Sequence, residues 1–200
     1  MEYWYLWVAF AVLCGITVLV LRKASKAMRL HNDGQKKIYE EIERLKVLKE
    51  KYKNADAEVI EAAEPRELLG GAYAVLQSAL ERDENPDALF AVLPESCRYT
   101  YTLYCFVEDT EAQGLTFFFK NNGHTLLQYA VGALEAVRQE GLAALVRAEY
   151  AMFDENNEAV SLDAAKFEKF DADFRKIYDA EVLLDSVKQY IFTHREEILG

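Results

Sequence analysis

Apolar and polar positions divide this chain into three parts. From Tyr3 to Leu21 nineteen consecutive residues carry no charge. As a helix they would reach roughly 28 Å, close to a bilayer hydrocarbon core of about 30 Å. From Lys36 the run KKIYEEIERLKVLKEKYKN alternates charge with sparse apolar positions. Ile38, Ile42, Leu45 and Tyr52 fall at d, a, d and d of a heptad, but Lys49 takes an a position. Fewer than three heptads with a polar intrusion predict a solvated stalk helix, with weak self-association as the alternative.

Beyond Pro65 the spacing is that of packed helices. Leu68, Leu69, Ala72, Leu76 and Leu80 recur at helical intervals, as do Leu127, Ala130, Leu134 and Val137. Asn85 followed by Pro86 predicts a helix start, and Pro94 its end. Gly141 is placed to close the helix that carries Leu134. Ser161 is a good N-cap for a long helical tract running to Leu199, whose buried faces are marked by Phe167, Phe170, Phe174, Ile177, Leu184, Val187 and Ile191. One segment is ambiguous. RYTYTLYCFV has strong strand propensity, yet on helical spacing Tyr99, Leu103, Phe106 and Val107 share a face.

The first part reads as a single membrane span, residues 1–23. Tyr3, Trp4, Tyr5 and Trp7 crowd one end, where amphipathic rings favour headgroups, and Arg22 and Lys23 stop the other. A cleaved signal would need positive charge before the run and small residues after it; Glu2 and VLVLRK supply neither. A lipoprotein signal would want a small residue before Cys14, where Leu13 stands. Basic residues just after the span predict that the bulk of the chain faces the cytoplasm, from the inner membrane. The stalk then occupies 24–56 and a compact multi-helix domain 65–200.

Charge sharpens the division. The net charge of −11 conceals 11 basic and 6 acidic residues in 1–54 against 12 basic and 28 acidic in 55–200. The first part suits anionic lipid; the second is repelled by lipid and by nucleic acid alike, so direct nucleic-acid binding is not expected. Cys14, Cys97 and Cys105 are too few and too scattered for a disulfide framework, which fits reduced thiols in a reducing compartment.

Little in the sequence points to catalysis. His31, His124 and His194 have no metal-ligand spacing, and no phosphate loop, nucleophile elbow or CxxC pair occurs. The reading is therefore non-enzymatic, with no catalytic residue, metal or cofactor. His124 beside Asn122 is expected in a turn.

At GLTFFFKNNGHTLLQYAVGALEAVRQEGLAALVRAEYAMF the chain resembles a bacterial family of small acidic helical domains, the best known of which mimic DNA. Gly114, Leu115, Phe118, Phe119, Asn121 and Gly123 take the places of the family motif; Ala133, Leu134, Gly141, Ala148 and Phe153 continue its register. Ala112, Gln113 and Phe117 depart from it, standing where Asn, Gly and Gln are expected. The resemblance, over Leu68 to Leu199, implies an all-α domain, and so a helix over 96–110 against its propensity. The richest acidic stretch, in the C-terminal half and including Asp154, Glu155, Glu158, Glu168, Asp171 and Asp173, is either a solvated helical face or a surface that meets a protein partner of basic character. The preferred function is a membrane-anchored interaction module. DNA mimicry toward a basic regulator or nuclease is the narrower alternative, and a carboxylate-dependent hydrolase the second.

Overall fold

The structure, a computed structural model, describes residues 35–36, 38–152 and 164–200. Among these residues every regular element is an α-helix. None of these helices is long and apolar enough to cross a membrane. The apolar run Tyr3 to Leu21, with Trp4, Trp7, Arg22 and Lys23, lies outside the described residues.

The chain divides into two units, Met1–Arg44 and Leu45–Gly200. In the first, residues 38–44 are helical; Ile38 and Ile42 are 61% and 42% exposed, and Arg44 pairs with Glu41 at 3.0 Å.

The second unit opens with helical residues 45–52 (α1). Here the stalk expectation fails, because Leu48 and Tyr52 are buried in the core. Tyr52 lies against Gly71 so closely that a Cβ there would come within 2.2 Å of its ring. That approach is what Gly71 permits inside a helix it would otherwise weaken. Next come α2 (Ala57–Ala62), α3 (Pro65–Leu80), α4 (Pro86–Val92), α5 (Glu95–Gln113), α6 (Leu115–Ala136) and α7 (Glu140–Tyr150). The chain closes with α8 (Ala164–Ile177), α9 (Ala180–Thr193) and the single turn α10 (Arg195–Ile198).

Capping follows local chemistry. Asp56, Glu64, Asn85 and Asp179 each accept backbone N–H groups at the start of α2, α3, α4 and α9. Lys188 on α9 closes the far end of α2, its Nζ donating to the Glu61 and Ala63 carbonyls at 2.7 and 2.6 Å. The Asn54 N–H likewise donates to the Leu199 carbonyl at 2.7 Å, so the last described residues seat on the end of α1.

Helices α5 and α6 form the central pair; α3 packs on α5, α7 on α6, and α9 on α3, while α8 bridges α6 and α7. The strand-prone segment is indeed helical. Its face of Leu103, Phe106 and Val107 is buried with Cys97, and Thr102 and Thr110 donate back to the Arg98 and Phe106 carbonyls at 2.8 and 2.6 Å. Burial of that face outweighs a weak intrinsic preference for strand. The central aromatic contacts run through Phe106, whose ring meets Phe118 at 5.2 Å and Phe174 at 6.1 Å.

Three further expectations are corrected. Residues 121–124, His124 among them, do not form a turn but lie inside the 22-residue α6. The Asn121 and Asn122 amides donate across to Asp109 on α5, and Asn122 also donates to the Phe118 carbonyl. These bonds hold turn-prone residues in a helix. Gly141 does not close α6; it sits in the first turn of α7, and α6 ends at Ala136, with Arg138 just beyond it at φ of +60°. The C-terminal tract is not one helix, for Asp179 caps a new one after a break at Tyr178, which leaves Ile177 48% exposed rather than buried. Ser161 falls outside the described residues.

Candidate interaction surface

The clearest exposed constellation lies where α3 turns into α4. Glu81, Asp83, Glu84 and Asp87 fall within seven positions, all exposed, with Arg82 the one basic residue between them. None of the four is in an ion pair with another described residue. Glu81 accepts a hydrogen bond from Gln77 Nε2 at 2.9 Å, and Asp83 from the Asn85 N–H at 2.8 Å. These contacts order the turn without neutralising it.

Beside these acids opens a groove of about 390 Å³, with Glu81 and Asp87 among its lining residues together with Phe90, Tyr101 and Asn122. The Tyr101 hydroxyl donates to Gln77 Oε1 at 2.8 Å, and its ring meets Phe90 edge-on at 5.2 Å. Tyr73 packs beside Tyr101 and stacks on Tyr104 at 3.8 Å. Burial pushes the Tyr101 phenol far above its ordinary range, so it is a neutral hydrogen-bonding group. Carboxylates beside aromatic faces suit a lysine or arginine side chain, which would gain from both charge and ring quadrupole.

Other acids are engaged within the domain. Arg66 ties Glu108 and Glu111 at 3.3 and 2.5 Å. Arg147 pairs with Glu135, and Lys51 with Glu67 at 2.6 Å. Of the acids picked from sequence, Asp154, Glu155 and Glu158 lie outside the described residues, and Glu168 stands exposed. Asp173 is paired with Lys176 at 2.7 Å, which holds its carboxyl below the usual range.

Asp171 has a structural task. Its Oδ1 accepts the Thr116 N–H at 2.9 Å, capping α6 from a helix 55 residues further on. Gly114, the turn between α5 and α6, has φ of +98°, and a Cβ there would come within 2.9 Å of that same oxygen. The glycine that opens the family motif is therefore required twice, by backbone sign and by the approach of Asp171. Leu115, Phe118 and Phe119 are buried in the core, Asn121 bonds Asp109, and Gly123 lies within α6. The motif builds the α5–α6 corner. Of the departures from it, Ala112 and Gln113 are exposed at the end of α5 and Phe117 is half-buried.

Glu149 on α7 is fully buried, and neither of its carboxyl oxygens, nor the buried Thr116 hydroxyl, makes a hydrogen bond of ordinary geometry with a described residue. Burial, reinforced by the charge of Asp171, pushes its carboxyl up to about 8. The described groove beside Phe90 and Tyr101 does not include Glu149. It is a protonated core group at neutral pH.

The cysteines Cys97 and Cys105 are free, and burial raises both thiols. The described residues contain no group of three His, Cys, Asp or Glu side chains able to hold a metal.

A sequence profile described as DMP19-like protein matches residues 91–194, just over half of the chain. The chain belongs to the DMP19-like family. The matched region begins near the end of α4 and runs to the end of α9, narrower than the Leu68 to Leu199 over which the motif was traced. It contains the α5–α6 corner and all of the acids picked from the C-terminal half. The turn holding Glu81, Asp83, Glu84 and Asp87 lies just before it, although Phe90 and Tyr101 come from either side of its boundary. No curated protein and no solved structure matches the chain.

Proposed function

We propose that this member of the DMP19-like family is a non-enzymatic interaction module whose acidic domain binds a protein partner of basic character. The single observation that carries the reading is the exposed, unneutralised set Glu81, Asp83, Glu84 and Asp87 beside the Phe90–Tyr101 groove. Family membership and the surplus of acid over base in residues 55–200 support it. On this reading residues 1–23 hold the module at the inner membrane as a single span, the domain faces the cytoplasm, and neither cofactor nor direct nucleic-acid contact is needed. The exposed Ile38, Tyr39 and Ile42 supply the surface for a weak homodimer.

The test is recovery of a partner from detergent extract by the full chain, with affinity falling as salt rises. No specific partner at low salt would remove the proposal. Fractionation, and protease added to intact spheroplasts, test the anchor separately: the domain should be membrane-associated and protected.

The narrower reading is that the partner offers its DNA-binding surface. The resemblance of the α5–α6 corner to DNA-mimic proteins favours it. It requires that DNA and this chain compete for the recovered partner.

A further inference from the structure

A second groove, of about 540 Å³, lies between the α6–α7 turn and α9. This is within the range of small-molecule sites. Ser186, Gln189, Tyr190 and Thr193 contribute one stripe of α9, at the i, i+3, i+4, i+7 spacing that puts residues on a single helix face. Across from them stand Val137 and Arg138, with His194 at the end of the stripe. No carboxylate is among the lining residues.

The conformation of Arg138 singles this groove out. The end of α6 is a Schellman turn: the Arg138 N–H donates to the Glu135 carbonyl at 2.9 Å and the Gln139 N–H to the Leu134 carbonyl at 2.8 Å. That motif puts Arg138 at φ of +60°, where glycine is ordinarily found and a side chain costs about 1 kcal/mol or more. The residue therefore departs from the least strained choice, and its guanidinium gains nothing in return from the described residues. It makes no hydrogen bond or ion pair with any described residue.

Other lining groups complete a set of donors. Ser186 and Thr193 use their hydroxyl protons on the Val182 and Gln189 carbonyls, at 2.8 and 2.9 Å, and Gln139 Nε2 reaches Ser186 Oγ at 3.4 Å. The Gln189 amide and the Tyr190 hydroxyl make no hydrogen bond to a described residue. Burial and the nearby charges of Glu95 and Glu197 keep the Tyr190 phenol protonated, and so a donor. Ala136, exposed at the end of α6, supplies an apolar side, and the Tyr190 and His194 rings lie 4.6 Å apart, tilted by 43°. The His194 Nδ1 is 3.9 Å from Glu197 Oε2, which turns that edge of the ring away from a ligand.

We infer that this groove binds a small molecule bearing an oxyanion, carboxylate or phosphate, on a flat apolar body, with Arg138 as the anchoring group. The guanidinium fork matches either oxyanion, and the Gln189 amide and Tyr190 hydroxyl add neutral donors. The site is separate from the acid-rimmed groove and does not rest on the proposed partner.

Ligand-observed NMR on the full chain, with phenyl phosphate, benzoate and neutral benzyl alcohol, tests this directly. At least one of the two anions should bind saturably at millimolar concentration and the alcohol should not; which anion binds identifies the oxyanion class. Arg138→Gly should weaken that binding by about tenfold or more, the loss of a charge-assisted bond. Because it relieves the left-handed strain, the same change should leave the melting temperature equal or higher. Arg138→Lys, which keeps the charge but loses the fork, should retain intermediate affinity. Binding of neither anion, equal binding of the alcohol, or unchanged affinity in Arg138→Gly would overturn the assignment, as would a lower melting temperature in that variant.

Discussion

Asp171 on α8 and Thr116 on α6 are joined by a hydrogen bond of 2.9 Å from the Thr116 N–H to Asp171 Oδ1, so one helix is capped by another far along the chain. A cap of this kind links local helix formation to tertiary assembly, because α6 lacks a side-chain cap of its own. It also explains why the family motif begins with glycine.

Asp171→Ala should destabilise the domain by about 1–2 kcal/mol, the usual range for a lost cap. Gly114→Ala should cost about 1–3 kcal/mol through its positive φ and its approach to Asp171. In the double variant the clash with the carboxylate is gone, so the two losses should sum to more than the measured total. Urea unfolding of the four proteins gives the cycle.

Replacing Glu149 should have the opposite sign. Burial pushes its carboxyl up to about 8 in the folded state from an ordinary 4.5, so the folded state holds the extra proton. That contribution to stability is complete below pH 4.5 and is lost as pH rises through 8. Glu149→Gln should therefore gain on the wild type by about 4 kcal/mol between pH 5 and 8, at roughly 1.4 kcal/mol per pH unit. Unfolding curves at several pH values read the gap. A gap independent of pH would show that Glu149 is ionised in the fold.

Gly71→Ala should force the Tyr52 ring out of place and cost about 1–3 kcal/mol, as overpacking does. Tyr52→Ala should cost about 3–5 kcal/mol by leaving a cavity. If residues 45–52 were instead a free stalk, thermal unfolding would register neither change.

Joint replacement of Glu81, Asp83, Glu84 and Asp87 by their amides should lower affinity for the partner by about tenfold or more and flatten its salt dependence. Stability should move by less than about 1 kcal/mol, since the four side chains are exposed. Replacement of Asp173 by Asn should leave affinity nearly unchanged, because Asp173 is already neutralised by Lys176.

Much of the helical architecture could be read from the sequence, since apolar spacing is a direct imprint of burial. Leu68, Leu69, Ala72, Leu76 and Leu80 are all buried, as are Leu127, Ala130, Leu134 and Val137. Local chemistry gave the Asn85–Pro86 helix start for the same reason. Failures came where tertiary partners override a local preference. Asn121 and Asn122 signal a turn until Asp109 is seen to accept from both. Gly141 looked like the end of α6 because glycine favours the left-handed region, yet Arg138 occupies that conformation. Segment 96–110 was readable as helix only through family resemblance.

The candidate surface was less legible than the fold. Acids are dense in the C-terminal half, but their number does not reveal which carboxylates are neutralised. Asp171 turns inward and Asp173 is paired, whereas the run ERDENPD keeps its charge. That run carries a usable signal, four acids around one arginine next to a helix start. Glu149 carried none, for it lies between Arg147 and Tyr150 in a pattern typical of a wet face.

The bonds from Asn54 to Leu199, and from Lys188 to Glu61 and Ala63, carry a consequence for biosynthesis. The earliest helices of the second unit are thus fastened in part by residues more than a hundred positions further along the chain. While the chain is being made, α1 can seat Tyr52 against Gly71 on α3, but the Lys188 cap of α2 and the Leu199 bond at the end of α1 form only once α9 and α10 have emerged. Nascent chains stalled before that point should be open to chaperones and proteases at α2 and the end of α1.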